Sequence, residues 1–283
     1  MNALNPDHGK IYVVATPIGN LDDISFRAIN ILKNVDLILA EDTRHANVLL
    51  QHYQIHTPLE SFHAHNEQKK AEQYLNMVQK GTQLALISDA GTPLISDPGY
   101  PLVAKARELH LDVIPIPGAC ALICALSAAG IPTDTFSFHG FPPSKKTARQ
   151  QFFQELSKLY HTCAFYESTH RIIDSLEDLA LIYNKQQPVI LAKELTKAYE
   201  QIQFKTIEEM LNWLHEDIKR TKGEFVMIIP PREKPLSDET ETEELMKKLL
   251  KHLGPKQASQ IGHDLSGIAK NQLYQLALKL QKN

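Results

Sequence analysis

The sequence predicts an α/β protein of two α/β domains with a small helical extension at its C-terminal end, and three observations carry that reading. The chain has 283 residues, against about 100–200 for a typical domain. Short β-branched runs alternate with amphipathic stretches along most of its length, the pattern of strands exchanging with helices in a layered α/β fold. A Gly and Pro break at 130–134 interrupts this alternation, and a polar, acidic stretch at 235–244 interrupts it again. The expected units are 1–130, 131–232 and 233–283.

Composition supports a folded protein. With 43% hydrophobic and 22% charged residues the chain can bury a sizeable core without staples. Its formal net charge of −3 excludes an overall positive field, so any nucleic-acid contact must be local. Cys120, Cys124 and Cys163 form no even disulfide framework and no CxxC pair. Residues 1–10 have no apolar core, and no run approaches the ~18 apolar residues of a membrane span. A soluble, cytoplasmic protein is expected.

In the first domain, residues 10–16 (KIYVVAT) read as a buried strand ended by Pro17 and Gly19. Ser25 can cap the next helix, with Phe26, Ile29 and Ile31 or Leu32 toward its inner face. An apolar run at 36–41 precedes a helix at 44–52, then a helix at 67–80 and a strand at 83–88. A helix at 100–110, a strand at 112–116, a Pro117-Gly118 turn and a small-residue helix at 120–129 complete a mostly parallel arrangement. In the second domain, strands are expected at 136–140, 162–166, 188–192, 200–205 and 224–229. Helices fit at 144–159, 169–183 and 206–215, the last placing Trp213 in the core. Pro230-Pro231 closes the last strand, and 235–244 reads as a linker.

The tail has its own charge balance. From Lys247 onward the cations are Lys247, Lys248, Lys251, Lys256, Lys270, Lys279 and Lys282, against the single acid Asp264. Residues 257–277 suggest two short helices around Gly267, a helix-turn-helix pattern.

Two loops mix Gly, Pro, Ser and Asp directly after predicted strands: residues 16–23 (TPIGNLDD) and 88–99 (SDAGTPLISDPG). Neither matches GxGxxG or a P-loop. Their position at strand C-terminal ends is where an open α/β sheet binds its ligand. His63 and His65 have HxH spacing but no evident third ligand, so no metal is expected. His139 and His170 read as structural or rim residues.

Five segments in order, 14–23 (VATPIGNLDD), 40–45 (AEDTRH), 88–99, 165–171 (FYESTHR) and 193–197 (KELTK), resemble the ribosomal RNA small subunit methyltransferase I family of the tetrapyrrole methylase superfamily. The resemblance runs from about residue 10 to the C-terminal end. It implies two α/β domains with an inter-domain cofactor cleft. It further implies S-adenosyl-L-methionine-dependent 2′-O-methylation of a decoding-centre cytidine in 16S rRNA, on the 30S subunit. A homodimer is implied, with no membrane and no DNA partner. By the same resemblance the cofactor lies along Ser88, Asp89, Ala90, Gly91, Pro93, Ile95 and Ser96, beside the Pro117-Gly118-Ala119 turn, with Phe141 and Leu195 from the second domain. Where many relatives have PGPSA, this chain reads PGACA at 117–121, which removes a proline and a hydroxyl and lowers the expectation of a contact at Cys120. Methyl transfer to a ribose hydroxyl needs in-line approach, a proton acceptor and charge control. By residue type the candidates are Asp42, Arg44, Glu167, Lys193, Glu194 and Lys197, each just after a predicted strand; Arg44 alternatively grips a phosphate. Two alternatives stay open: an enzyme of the same fold acting on a small tetrapyrrole-like substrate, and a non-catalytic ribosome-binding protein.

Overall fold

Five strands of the N-terminal half form one parallel sheet: β1 (Lys10–Val14), β2 (Leu37–Ala40), β3 (Leu59–Ser61), β4 (Leu84–Ile87) and β5 (Asp112–Ile116). The spatial order is β3-β2-β4-β1-β5. The computed structural model describes residues 8–232 and 239–281, in two units, 1–231 and 232–283. Every residue of β2 and β4 is buried, as expected for strands covered on both faces. On one face α1 (Phe26–Asn34) and α2 (Thr43–His52) pack Leu32 and Leu50 against Val14, Ile38 and Ile87. On the other, α3 (Glu67–Gln79) and α4 (Tyr100–Glu108) pack Tyr74, Leu75 and Leu102 against Ile11, Leu39 and Leu86.

Ser25 caps α1 by accepting from the Ala28 amide. The inner face differs from expectation. Phe26 is 88% exposed, and Ala28 and Leu32 are the buried positions, because the first residue after the cap points away from the sheet while the next turn reaches it. The edge strand β3 has no counterpart in the sequence pattern, since three residues between Pro58 and Phe62 carry no readable alternation.

The second sheet contains β6 (Phe136–Phe138), β7 (Thr162–Ser168), β8 (Pro188–Lys193), β9 (Gln201–Thr206) and β10 (Glu224–Ile229), in the order β6-β7-β10-β8-β9. Only β6 and β7 run parallel; the other pairings are antiparallel, and β10 inserts between β7 and β8. Helices α6 (Lys146–Leu156), α7 (Ile172–Tyr183) and α8 (Ile207–Glu216) cover one face with Phe153, Leu176 and Met210 against Phe165, Leu191 and Met227. A capping box between Thr206 and Glu209 starts α8. Trp213 packs half-buried against the edge of this core, with the Arg220 guanidinium 5.0 Å from its ring centroid as a cation–π partner.

The opposite face of this sheet receives α5 (Ala121–Ala128), whose Leu122, Ala125 and Leu126 pack on Ala164, Ile190, Val226 and Ile228. Thus a helix from the first domain's sequence completes the second domain's core, and the 130–134 break follows that helix.

The C-terminal unit holds α9 (Glu239–Leu250), α10 (Pro255–Ser266) and α11 (Lys270–Leu280). Helix α9 begins inside the stretch read as linker, part of which lies outside the described residues. Met246, Ala258, Leu273 and Ala277 form its small core. Gly267 adopts φ 71° and ends α10 in the left-handed conformation that glycine favours.

Candidate cofactor cleft

The two loops singled out in the sequence are stitched together. Thr16 and Gly91 exchange backbone hydrogen bonds of 2.8 and 3.1 Å, and the Thr16 hydroxyl donates to the Ser88 carbonyl at 3.2 Å. A Cβ on Gly118 would lie 2.9 Å from the Ala15 side chain, so only glycine lets the 117–118 turn approach the end of β1. Leu94 and Ser96 in the 88–99 loop, and Glu194 and Thr196 in the loop after β8, all have positive φ, between 51° and 72°. Non-glycine residues persist in that region where surrounding contacts over-determine the loop, a common feature of ligand sites.

These loops and the second sheet enclose a cavity of about 460 Å³, within the range of small-molecule sites. Its first-domain wall comprises Ile18, Asp89, Ala90, Gly91, Thr92, Ile95, Ser96 and Asp97, continued by Cys120 and Ala121. Phe141, Tyr166, Ala192, Leu195 and Val226 supply an aromatic and apolar wall, and Ser168 to His170 with Gly223 and Glu224 close one end.

Of the expected cofactor residues, Asp89, Ala90, Gly91, Ile95, Ser96, Phe141 and Leu195 line this cavity. Ser88 and Pro93 are buried behind the loop, where the Ser88 hydroxyl donates to the Gly91 carbonyl at 3.3 Å. Pro117 and Gly118 are exposed, and Ala119 acts from behind the wall by accepting from the Thr92 hydroxyl at 3.0 Å. Cys120, set aside on the sequence, does line the cavity. Asp97, Tyr166 and the β10 residues were not singled out. Asp97 and Tyr166 lie inside the 88–99 and 165–171 segments, whereas 223–226 belongs to none of the five segments and reaches the cleft because β10 inserts between β7 and β8.

The expected catalytic residues separate into three groups. Glu167 and Lys193 flank Phe225 across β7, β10 and β8, and Phe225 belongs to the helix-side core. Sheet alternation therefore turns both side chains toward that core, opposite to their neighbours Tyr166, Ala192 and Val226, while Glu167 and Phe225 still contribute to the cavity lining. The Glu167 carboxylate is fully buried and committed to Arg171, Ser168 and Ser175. Glu194 and Lys197 form an ion pair of 2.9 Å at the cavity edge, and Lys197 also reaches Glu224 at 2.8 Å. Burial opposes the charge on Glu194, but hydrogen bonds from Lys197 and the Glu224 amide hold its carboxyl below the usual range. Asp42 caps α2 and grips Arg44 through contacts of 2.6 and 3.1 Å. Those hydrogen bonds hold the Asp42 carboxyl far below the usual range while leaving the Arg44 side chain 90% exposed. The Asp42 amide donates to Asp89 Oδ1 at 2.9 Å, so this pair adjoins the cavity wall without lining it.

The carboxylates on the first-domain side behave differently. Burial pushes Asp97 up to about 6; the neighbouring Ser88 side chain opposes this, and the charges of Glu41 and Asp89 add to it. Burial and the Asp89 charge raise Glu41 as well, with His63 opposing. Glu41, Asp89 and Asp97 thus crowd negative charge, and no Lys or Arg among the described residues forms a salt bridge with them. Such a wall favours a cation. His63 and His65 stack edge-on at 5.9 Å, with His63 beside Asn66.

The Tetrapyrrole (Corrin/Porphyrin) Methylases model matches residues 10–211, and the RsmI C-terminal HTH domain model matches 237–281. The proteins named ribosomal RNA small subunit methyltransferase I from Haemophilus influenzae and Synechocystis are 46% and 44% identical to this chain. Those alignments cover 95% and 96% of the chain and 96% and 99% of the relatives. The chain belongs to the ribosomal RNA small subunit methyltransferase I family. Solved structures agree on the fold of this family's two-sheet body. A cobalt precorrin-4 methyltransferase superposes with a TM-score of 0.60 at 15% identity, over 81% of this chain and 98% of its own. Diphthine synthase gives 0.60 at 10% identity, over 78% and 89%. In this family member the 460 Å³ cavity lies between the two sheets.

Proposed function

We propose that the protein transfers a methyl group from S-adenosyl-L-methionine to the ribose 2′-oxygen of a decoding-centre cytidine in 16S rRNA, on the assembled 30S subunit. The observation that carries this reading is a cavity with one acidic, cation-free wall and one aromatic wall, in a chain that matches rRNA methyltransferases along nearly its whole length. The residues fit this cofactor: the 89–92 backbone and the Thr92 and Ser96 hydroxyls offer polar contacts, and Phe141, Leu195 and Val226 offer an apolar slot. When bound, S-adenosyl-L-methionine supplies an electrophilic methyl group on a positively charged sulfur.

The chain's own part is positioning and charge control. Asp89 and Asp97, with Glu41 behind them, stabilise positive charge in the cavity. Asp97 stays ionised while a cation faces it, and its proton affinity returns to about 6 once that charge is gone. The same carboxylate is then suited to receive the proton released by the ribose hydroxyl near neutral pH. Arg44, exposed and oriented by Asp42, presents its free edge to an RNA phosphate. The lysines of the C-terminal unit add a second RNA contact. The enzyme acts in the cytoplasm as a homodimer; among the described residues no helix is long and apolar enough to cross a membrane.

The test is methyl transfer from labelled S-adenosyl-L-methionine to small subunits purified from cells lacking this gene, followed by mapping of the labelled nucleotide. Label on one decoding-centre cytidine ribose is expected. Label on a base, or cofactor binding without transfer to any subunit, would overturn the reading.

A further inference from the structure

The aromatic wall of the cleft is not held where it stands by its own backbone. Backbone pairing with β7 continues past β6 to Gly140, whose carbonyl accepts from the Tyr166 amide at 2.8 Å, and then stops at a glycine with φ 61°. Phe141 follows, half exposed at 50% and facing Tyr166 with ring centroids 5.5 Å apart. The next two residues are Pro142 and Pro143, which have no N–H to donate. Past the Phe141 amide, the segment can therefore be fixed only through its carbonyls and side chains.

One side chain does both. Arg171 Nη1 donates to the Pro142 carbonyl at 3.3 Å, and its guanidinium lies 6.0 Å from the Phe141 ring centroid. The same guanidinium is anchored from behind: Nε lies 3.1 Å from Glu167 Oε1 and 3.2 Å from the Ser168 hydroxyl. Glu167 is itself immobilised by the Ser168 amide at 2.7 Å and by the Ser175 hydroxyl on α7. A fully buried carboxylate demands such partners, and the planar fork of arginine lets one group satisfy it while gripping a carbonyl and an aromatic face.

We infer that Arg171 is a positioning residue for cofactor binding, a bracket that transmits the rigidity of the buried Glu167 to the Phe141 wall of the cleft. The inference rests on the cavity being the S-adenosyl-L-methionine site. Glu167, read from the sequence as a catalytic candidate, acts at one remove, through Arg171.

The test is a double-mutant cycle on the full chain, read by calorimetric titration with S-adenosyl-L-methionine and by KM and kcat in the methyl-transfer assay. Arg171→Lys keeps a cation beside Glu167 but loses the fork, so the thermal midpoint should stay near wild type while the cofactor Kd and KM rise about tenfold and kcat at saturation changes less than about twofold. Phe141→Ala should weaken binding by a similar factor. Because both act on one wall, the double variant should be no more than about twofold weaker than the weaker single variant, against the ~100-fold expected of independent sites. Fold-changes that multiply, or an Arg171→Lys protein that binds as tightly as wild type, would overturn the bracket alone. Wild-type protein that fails to bind S-adenosyl-L-methionine would overturn the reading of the cavity and the bracket with it. Should Arg171→Lys lower the thermal midpoint, Arg171→Lys with Glu167→Gln removes the buried charge and repeats the cycle; restored stability with wild-type affinity would count against the bracket.

Discussion

The two sheets treat the acids around the cleft and core in opposite ways. Around the second sheet the carboxylates near the cleft or core are paired with cations: Glu167 has Arg171, Glu194 and Glu224 share Lys197, and Asp178 holds Arg149 at 2.7 Å with Gln150 on its other oxygen. Beyond the first sheet, Glu41, Asp89 and Asp97 face one another, and the protein raises two of them instead of neutralising them. A buried charge that is paired internally is architecture, since removing its partner leaves an uncompensated ion. A buried charge left unpaired beside a cavity anticipates a ligand. The second sheet thus supplies a rigid surface and the first supplies an unanswered charge.

The largest expected effect breaks the architectural side of this contrast. Arg149→Ala strands Asp178 in the interface between α6 and α7 and should cost about 3–5 kcal/mol of folding free energy, read from urea unfolding curves. A loss below about 1 kcal/mol would show that the second sheet's pairs are ornamental surface bridges.

Next in size is a pair of variants that set the two walls against each other. Asp89→Ala removes an unpaired carboxylate from the cavity and the acceptor of the Asp42 amide; affinity for S-adenosyl-L-methionine should fall about 30- to 100-fold, on the scale of a hydrogen bond to a charged group. Glu224→Gln alters a carboxylate that lines the same cavity but belongs to Lys197, and should change affinity less than about threefold. Equal effects in calorimetry would erase the distinction between the walls.

The smallest effect is a pH dependence. Asp97 in the free protein titrates at about 6, so between pH 7.5 and 5 it gains a proton and the acidic wall loses a charge. Affinity for the cationic cofactor should fall several-fold on acidification, and Asp97→Asn should be weaker but flat over this range. The sign for stability is the reverse. A carboxyl raised in the folded state binds its proton more tightly there than when unfolded, so it costs stability increasingly as pH rises from below 4 through 6. Urea midpoints of Asp97→Asn and wild type should therefore converge at low pH, and a wild-type affinity that is level from pH 5 to 7.5 would remove Asp97 from the charged wall.

Local signals in the chain are enough for four of the five strands of the first sheet and for its helices, for the Ser25 cap, and for the two loops that meet at Thr16 and Gly91. β2 and β4 are short, apolar and buried on both faces, and such strands announce themselves. The failures share a cause. Phe26 was assigned inward by periodicity, but whether the first turn of a helix reaches the sheet depends on the helix's placement. β3 is three residues long, stabilised by its neighbour β2 and not by its own pattern. Glu167 and Lys193 lie within β7 and β8, and the face each side chain takes is set by register with β10, a partner about 60 and 30 residues away in sequence.

The sequence by itself therefore determined the α/β class, the helical tail, the family and the 88–99 loop of the cleft, because each is written in contiguous residues. Only the tertiary structure decided that Asp97 sits in a cation-free wall, that Gly223 to Val226 reach the cleft, and that Glu167 answers to Arg171. Pairing of charges and the insertion of β10 between β7 and β8 are long-range events, and a carboxylate's proton affinity is set by what folding brings beside it.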